Sequence, residues 1–191
     1  MTINRREFIK RGMGGGASLL LAYEIGGGSL LLTPRQAHAQ DIPLRQLTAD
    51  EAGALETLAD ALLPGAAKAG VAQFIDHQLG EDPGDCLLIA KYFQVPPPYL
   101  PFYRQGVQGC EALAQQQFET GLAGLDETQM TQLLQTIGKP GTHTPEGHDL
   151  SLFYLCLRSD AVDVVYGTPE GFEKLNIPYM AHIMPPEGWN G

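Results

Sequence analysis

The side chains with the clearest capacity for chemistry are the histidines and cysteines. His143, His148 and Asp149 stand close together in the segment 142–149. Imidazole and carboxylate groups ligate divalent metals, and a metal-bound water would make such a site hydrolytic. The spacing matches no zinc signature, however, and the surrounding loop is rich in Gly and Pro, which favours solvated histidines. A metal-dependent exported hydrolase is therefore the least favoured hypothesis.

No other catalytic pattern stands out in the sequence. It has no G-x-S-x-G serine motif and no C-x-x-C-H haem motif. His77 and His182 are isolated in sequence, and Asp160 with Asp163 on one helix face resembles an ordinary solvated surface. Gly12 to Ala17 fits G-x-G-x-x-G/A, but no predicted strand precedes it, which argues against a dinucleotide site. We predict no catalytic residue, no metal site and no cofactor in this chain.

The three cysteines, Cys86, Cys110 and Cys156, are too few for a disulfide framework. An exported protein can nevertheless keep one disulfide. Cys86 and Cys110 are the pair that we favour, because Cys156 falls in the most apolar predicted helix and is expected to be a buried thiol. The sequence by itself does not choose among the three pairings.

Length and charge limit the class of protein. With 191 residues, 43% of them hydrophobic, the chain can bury one core and is predicted to form one domain. Twelve basic against 22 acidic residues give a net charge of −10. A protein that binds duplex nucleic acid needs a basic surface, so this charge argues against that class. The 23 Gly and 14 Pro residues predict long irregular stretches between helices.

Residues 1–39 have the pattern of a twin-arginine export signal. A pair of arginines precedes an aromatic residue, an aliphatic residue and a lysine, and a moderately apolar stretch follows from residue 12 to residue 32. Such signals serve proteins that are exported in the folded state. The usual reason is a cofactor inserted in the cytoplasm, into the protein itself or into a bound partner. The residues of the predicted export motif are Arg5, Arg6, Phe8, Ile9 and Lys10.

The end of this segment resembles a processing site. Ala37 and Ala39 form a small-x-small pattern, so we predict cleavage after Ala39, with Gln40 as the first residue of the exported chain. An ordinary Sec signal and a retained membrane anchor are the alternatives. Glu24 disfavours the anchor, because an acidic residue near mid-bilayer costs about 2.5–3.5 kcal/mol. Residues 40–191 keep seven basic and 20 acidic residues, a charge of −13, which does not suit an anionic membrane surface.

Residues 40–191 are predicted to form a single all-α domain, small and irregular, with long Pro/Gly-rich loops. Thr48 with Glu51 and Asp126 with Gln129 are capping boxes, and Asp149 can cap the helix that follows it. Apolar residues recur at helical spacing, and no convincing period-two alternation is present. The predicted helices run from Thr48 to the Pro64-Gly65 stop, Gly70 to Leu79, about Pro101 to Thr120, Asp126 to Ile137 and Leu150 to Tyr166.

The C-terminal segment 167–191 differs from the helical part. It has four prolines, three aromatic residues and little periodicity, which predicts an extended tail without regular structure. Aromatic residues are favoured as interface anchors, so we predict that part of this tail wraps against a partner. Packing on its own helices is the alternative. The predicted interface residues are Tyr166, Pro169, Phe172, Pro178, Tyr179, His182, Pro186 and Trp189.

Several segments together resemble the gluconate 2-dehydrogenase subunit 3 family, the small subunit of membrane-associated sugar and alcohol dehydrogenase complexes. The resemblance covers most of residues 48–189 and is spread along the chain. One departure lies at 184–189, where some relatives have a Gly-rich, Trp-containing ending. The stretches that carry the resemblance are Leu55–Gly65, Gly70–Asp76, Phe118–Ile137, Tyr166–Phe172 and Ile177–Ile183.

The resemblance implies a division of labour between subunits. The large subunit of such complexes is a flavoprotein of the glucose-methanol-choline (GMC) type, which carries FAD and oxidises the substrate. The small subunit binds it, supports its maturation and carries it through the twin-arginine translocase to the periplasm. A multihaem cytochrome c frequently completes the complex, which associates with the cytoplasmic membrane. The resemblance thus implies a non-catalytic accessory subunit; a stand-alone binding or structural protein of the cell envelope is the alternative.

Overall fold

The computed structural model describes residues 19–25 and 28–177, which form an all-α domain with one small β-hairpin. The hairpin strands are β1 (Leu21–Ile25) and β2 (Gly28–Leu32), and short 3-10 helices cover Ile89–Phe93 and Leu122–Gly124. The α-helices of the described residues are α1 (Pro34–Ala39), α2 (Ala49–Leu62), α3 (Val71–Leu79), α4 (Leu100–Phe118), α5 (Glu127–Ile137), α6 (Leu150–Tyr166) and α7 (Pro169–Lys174). The predicted fold class is confirmed.

Side-chain caps begin the helices where the sequence predicted them. The Thr48 hydroxyl accepts from the Glu51 N–H at 3.2 Å, and the Glu51 carboxylate accepts from the Thr48 N–H at 2.8 Å. Asp126 and Gln129 form the same reciprocal pair at the start of α5. The Asp149 carboxylate accepts from the N–H of the third residue of α6 at 2.9 Å. Each cap satisfies donors that a helix N-terminus would otherwise leave unpaired, so the starts of α2, α5 and α6 are specified locally.

Helix α6 is the centre of the domain. It packs against α2, α3, α4, α5, α7 and the first 3-10 helix. Its close approach to α4 depends on Gly106, where an added Cβ would lie 2.2 Å from the Phe153 ring. The fully buried large side chains come from most of these elements: Leu55, Leu58, Val71, Phe74, Ile75, Leu88, Tyr103, Leu133, Ile137, Leu150, Phe153 and Leu157.

A buried carboxylate ties the segment before α2 to α3. Asp76 is 5% exposed and accepts backbone N–H groups of Arg45, Gln46 and Leu47 at 2.8–3.0 Å. The two oxygens of a carboxyl group can accept several such bonds at once. This interaction aligns the chain that enters the Thr48 cap.

Two elements differ from the sequence-based expectation. The hairpin lies within the predicted apolar stretch of the export signal, where we expected no strand, and it pairs Leu21 with Leu32 and Ile25 with Gly28. Helix α7 lies within the tail that we predicted to lack regular structure. The Thr168 hydroxyl caps it by accepting from the Gly171 N–H at 3.1 Å, and proline is its first residue. A six-residue helix is too short to produce a periodic pattern, so that part of the tail prediction was wrong.

The described part of the predicted export signal lies on the helical domain. Ala37 is fully buried in α1, while Ala39 ends this helix and Gln40 follows it, both exposed. Arg5, Arg6, Phe8, Ile9 and Lys10 lie outside the described residues. Over the ranges 19–25 and 28–177, no helix combines the length and the apolar content that crossing a bilayer requires.

Candidate partner interface

Large apolar side chains are exposed on α6 and on two segments that lie beside it. Tyr92 is the most exposed of them at 65%. The first 3-10 helix and α7 both pack on α6, and Leu175 and Ile177 follow the end of α7. An exposed aromatic side chain such as that of Tyr92 is a candidate anchor for contact with another protein surface. We refer to the following residues as the α6-flanking residues: Leu87, Tyr92, Phe93, Val162, Leu175 and Ile177.

A buried acid holds the first 3-10 helix against α6. Asp160 is fully buried, and its carboxylate accepts the Tyr103 hydroxyl at 2.5 Å and the Ile89 N–H at 3.0 Å. Burial raises the pKa of Asp160 to about 7, and the two hydrogen bonds act in the opposite direction. Because Ile89 begins the 3-10 helix, this network positions the backbone that carries Tyr92 and Phe93.

The sequence-based interpretation of Asp160 was wrong, while Asp163 is exposed as expected for a solvated face. A signal was present in the sequence. Position 160 falls on the same helical stripe as Phe153, Leu157 and Val164, all of which are buried. An acid on an apolar stripe is a residue that needs a buried partner.

Further hydrogen bonds hold the chain before this 3-10 helix. The Gln78 side chain is 2% exposed and accepts the Leu87 N–H at 2.7 Å. The Lys91 ammonium donates to the carbonyls of Gly84 at 2.6 Å and Cys86 at 3.3 Å. Leu87, Tyr92 and Phe93 are therefore presented by a backbone that is hydrogen-bonded on both sides.

The tail residues predicted for the interface divide into two groups. Tyr166 ends α6, and Pro169 and Phe172 lie on α7; all three are half-buried. They lie on elements that pack on each other, next to the exposed Leu175 and Ile177. The remaining five lie outside the described residues, and their role stays a prediction: Pro178, Tyr179, His182, Pro186 and Trp189.

The histidine loop is built as a structural turn. His143 Nδ1 lies 2.8 Å from the Gly141 carbonyl, and His143 Nε2 is 4.0 Å from an Asp149 carboxylate oxygen. His148 turns its ring toward Phe102, with ring centroids 5.3 Å apart, and burial lowers its pKa. Its Nε2 atom is buried without a hydrogen-bond partner. Within the described part of the chain, no three His, Cys, Asp or Glu side chains are grouped so that they could hold a metal ion.

All three cysteines are buried free thiols in the structure, and the bond predicted between Cys86 and Cys110 is not formed there. Burial raises the pKa of Cys110 to about 12. The pKa of Cys156 is also about 12, because of burial and of the neighbouring Asp160 carboxylate. Thiols held neutral in this way are poor nucleophiles at neutral pH.

A groove of about 950 Å³ lies between α2, α4 and the second 3-10 helix, lined largely by small residues. Two of the three acidic side chains that line it have structural partners. Glu51 accepts from Arg104 at 2.6 Å, and Glu111 accepts the Leu122 N–H at 3.0 Å. Glu51 and Glu111 therefore hold the elements around the groove together.

These features define a small all-α domain whose exposed apolar side chains suit binding to another protein. The chain belongs to the gluconate 2-dehydrogenase subunit 3 family, whose model matches residues 49–184. The resemblance found in the sequence is confirmed, and the family places the chain as a subunit of a dehydrogenase complex. Comparison with curated proteins and with solved structures gives no match.

Proposed function

We propose that this chain is a non-catalytic accessory subunit that binds an FAD-dependent GMC-type dehydrogenase, supports its maturation and escorts it through twin-arginine export to the periplasm. The observation that carries the proposal is the family match over residues 49–184. FAD and the oxidation of the sugar or alcohol belong to the partner subunit in this proposal. A multihaem cytochrome c would complete the complex and associate it with the cytoplasmic membrane.

The exposed apolar side chains support a binding role. An obligate interface commonly buries more than about 2,000 Å² and places aromatic anchors at its centre. Tyr92 and Phe93 are exposed aromatic residues on a hydrogen-bonded backbone, so little backbone ordering is needed on binding. Leu175 and Ile177 add exposed apolar side chains after α7, at the point where the tail continues.

The escort role depends on the twin-arginine motif and is tested there. In the native host, Arg5 and Arg6 are both changed to Lys, and the partner flavoprotein is measured by flavin absorbance and antibody in periplasmic and cytoplasmic fractions. We expect the flavoprotein to accumulate in the cytoplasm. Arg35→Lys, a basic residue of the same segment outside the motif, is the matched control and should leave export unchanged.

Purification of the wild-type chain separates the proposal from its alternative. Co-elution of a yellow flavoprotein supports an accessory subunit. A flavoprotein that reaches the periplasm equally well without this chain would contradict the escort role. A chain that elutes alone from native extracts would instead indicate a binding or structural protein of the envelope.

A further inference from the structure

The C-terminal half of the predicted export signal is packed as part of the domain. Leu21, Tyr23 and Leu32 of the hairpin are 6–7% exposed. The Tyr23 hydroxyl donates to the Gln73 carbonyl at 3.4 Å, and its ring stands edge-on to His77 at a centroid distance of 5.1 Å. His77 Nε2 also lies 3.1 Å from the Ala22 carbonyl. The hairpin thus buries apolar side chains in the domain and is joined to α3 by aromatic and polar contacts.

Helix α1 packs closely against the N-terminus of α3. Thr33 and Gln36 form a capping box that begins α1, and Pro34 is buried. Gly70, which precedes α3, has φ +84°, and a Cβ there would lie 2.1 Å from the Pro34 carbonyl oxygen. The backbone of α1 therefore occupies the space that any side chain at position 70 would need.

The peptide bond after Ala39 is not presented as a protease substrate. Ala37, the residue at the third position before that bond, is fully buried. The Gln40 N–H of the bond itself donates to the Gln36 carbonyl at 3.1 Å, and the Ile42 N–H donates to the Ala37 carbonyl at 3.0 Å. Cleavage at a small-x-small site requires these small side chains to be free, and proteases cut exposed backbone that is not hydrogen-bonded.

We propose that residues 21–39 are a permanent part of this subunit and that their docking on α3 protects the bond after Ala39, so that the exported protein keeps its leader. The proposal rests on the proposed function in one respect, export of the chain. It replaces the cleavage after Ala39 that the small residues alone predicted. The leader would then have two roles. Its N-terminal end would carry the export motif, and its C-terminal end would support α3.

Two measurements on the full chain test this proposal. First, the intact mass and N-terminal residue of the exported protein are determined from the periplasmic fraction. We expect an N-terminus at or before Leu21, and a protein that begins after Leu21, at Gln40 above all, would overturn the proposal. Second, full-length protein purified from the cytoplasm is incubated with signal peptidase in detergent, where we expect no cleavage after Ala39; cleavage there would overturn it. If no chain reaches the periplasm, export fails, and the second measurement still decides the inference.

A pair of glycine variants tests the docking itself. Gly70→Ala places a methyl group against the Pro34 carbonyl, whereas Gly65 has φ +94° with nothing within 4 Å of its Cβ position. Both variants carry similar backbone strain, but only the first displaces α1. We expect signal peptidase to cleave folded Gly70→Ala after Ala39 at least about tenfold faster than Gly65→Ala, since cleavage follows the population of the open form. Equal resistance would contradict the proposal; should Gly70→Ala not fold, Tyr23→Ala, which removes the hairpin contact, takes its place with the same expectation.

Discussion

The buried hydrogen bond between Tyr103 and Asp160 is expected to stabilise the domain by an amount that depends on pH. Changing Tyr103 to Phe removes one hydroxyl and leaves the ring that fills the core. The carboxylate oxygen that accepted this hydroxyl at 2.5 Å is then left without a donor, while the Ile89 N–H still serves the other oxygen. The perturbation is therefore confined to one hydrogen bond in a fully buried site.

The pKa of Asp160 determines the direction in which stability changes with pH. Burial raises it from 3.8 to about 7 in the folded protein, so the folded state binds the proton more tightly than the unfolded chain. The resulting stabilisation is fully present below the unfolded pKa and is lost as the pH rises through about 7. At about 1.4 kcal/mol per pKa unit, the loss is on the order of 4 kcal/mol.

The size of the Tyr103→Phe effect depends on the charge of the carboxyl. Near pH 8 the carboxylate is ionised, and a hydrogen bond to a charged group contributes about 1.5–3 kcal/mol. Near pH 5 it is protonated in the folded state, and a neutral hydrogen bond contributes about 0.5–1.5 kcal/mol. We therefore expect the variant to be destabilised more at the higher pH, and its Asp160 pKa to lie above the wild-type value.

Urea denaturation and thermal unfolding at both pH values measure this difference. Each kcal/mol corresponds to a shift in Tm of about 2–4 °C for a domain of this size. Tyr154→Phe is the matched control, because Tyr154 is half-buried on α6 and none of its hydrogen bonds is part of this network. Equal destabilisation at both pH values, or none at either, would refute the assignment of a charged hydrogen bond to this pair.

Three further predictions concern packing, thiols and binding. Gly106→Ala should lose about 1–3 kcal/mol in urea denaturation by overpacking against Phe153, whereas Gly53→Ala, with nothing within 4 Å of its Cβ position, should be at least as stable as wild type. Thiol titration of the exported protein, unfolded without reductant, should count three thiols; a count of one would restore the predicted disulfide. Tyr92→Ala should weaken binding of the partner flavoprotein about tenfold or more, measured by calorimetry, while Leu30→Ala on the hairpin, 46% exposed, should bind as wild type.

The helix starts were predictable because their causes are local. Thr48, Asp126 and Asp149 each satisfy N–H groups two or three residues away, so the signal is complete within a few positions of sequence. The same logic would have found α7, since Thr168 followed by proline is a helix start, but six residues give no periodicity to support it. The length of an element thus limited the prediction more than the strength of its cap.

The hairpin escaped prediction because its strands are short and its stabilising contacts are distant in sequence. Leu21 and Tyr23 are buried and Ala22 between them is exposed, an alternation of only three residues. Tyr23 contacts His77, 54 positions later in the chain, and this distant contact helps to bury one face of the hairpin. In the sequence the same residues are equally consistent with the apolar stretch of an export signal.

The sequence by itself determined the fold class, the starts of the main helices and the family, since each depends on residue type at short spacing or on a pattern spread along the chain. Only the tertiary structure decided which groups pair with the buried acids and which apolar residues are exposed. Asp160 receives its donors from Ile89 and Tyr103, 71 and 57 positions away. The helical register of Asp160 indicates burial, but only the packing of distant elements supplies the hydrogen-bond donors that a buried carboxyl group needs.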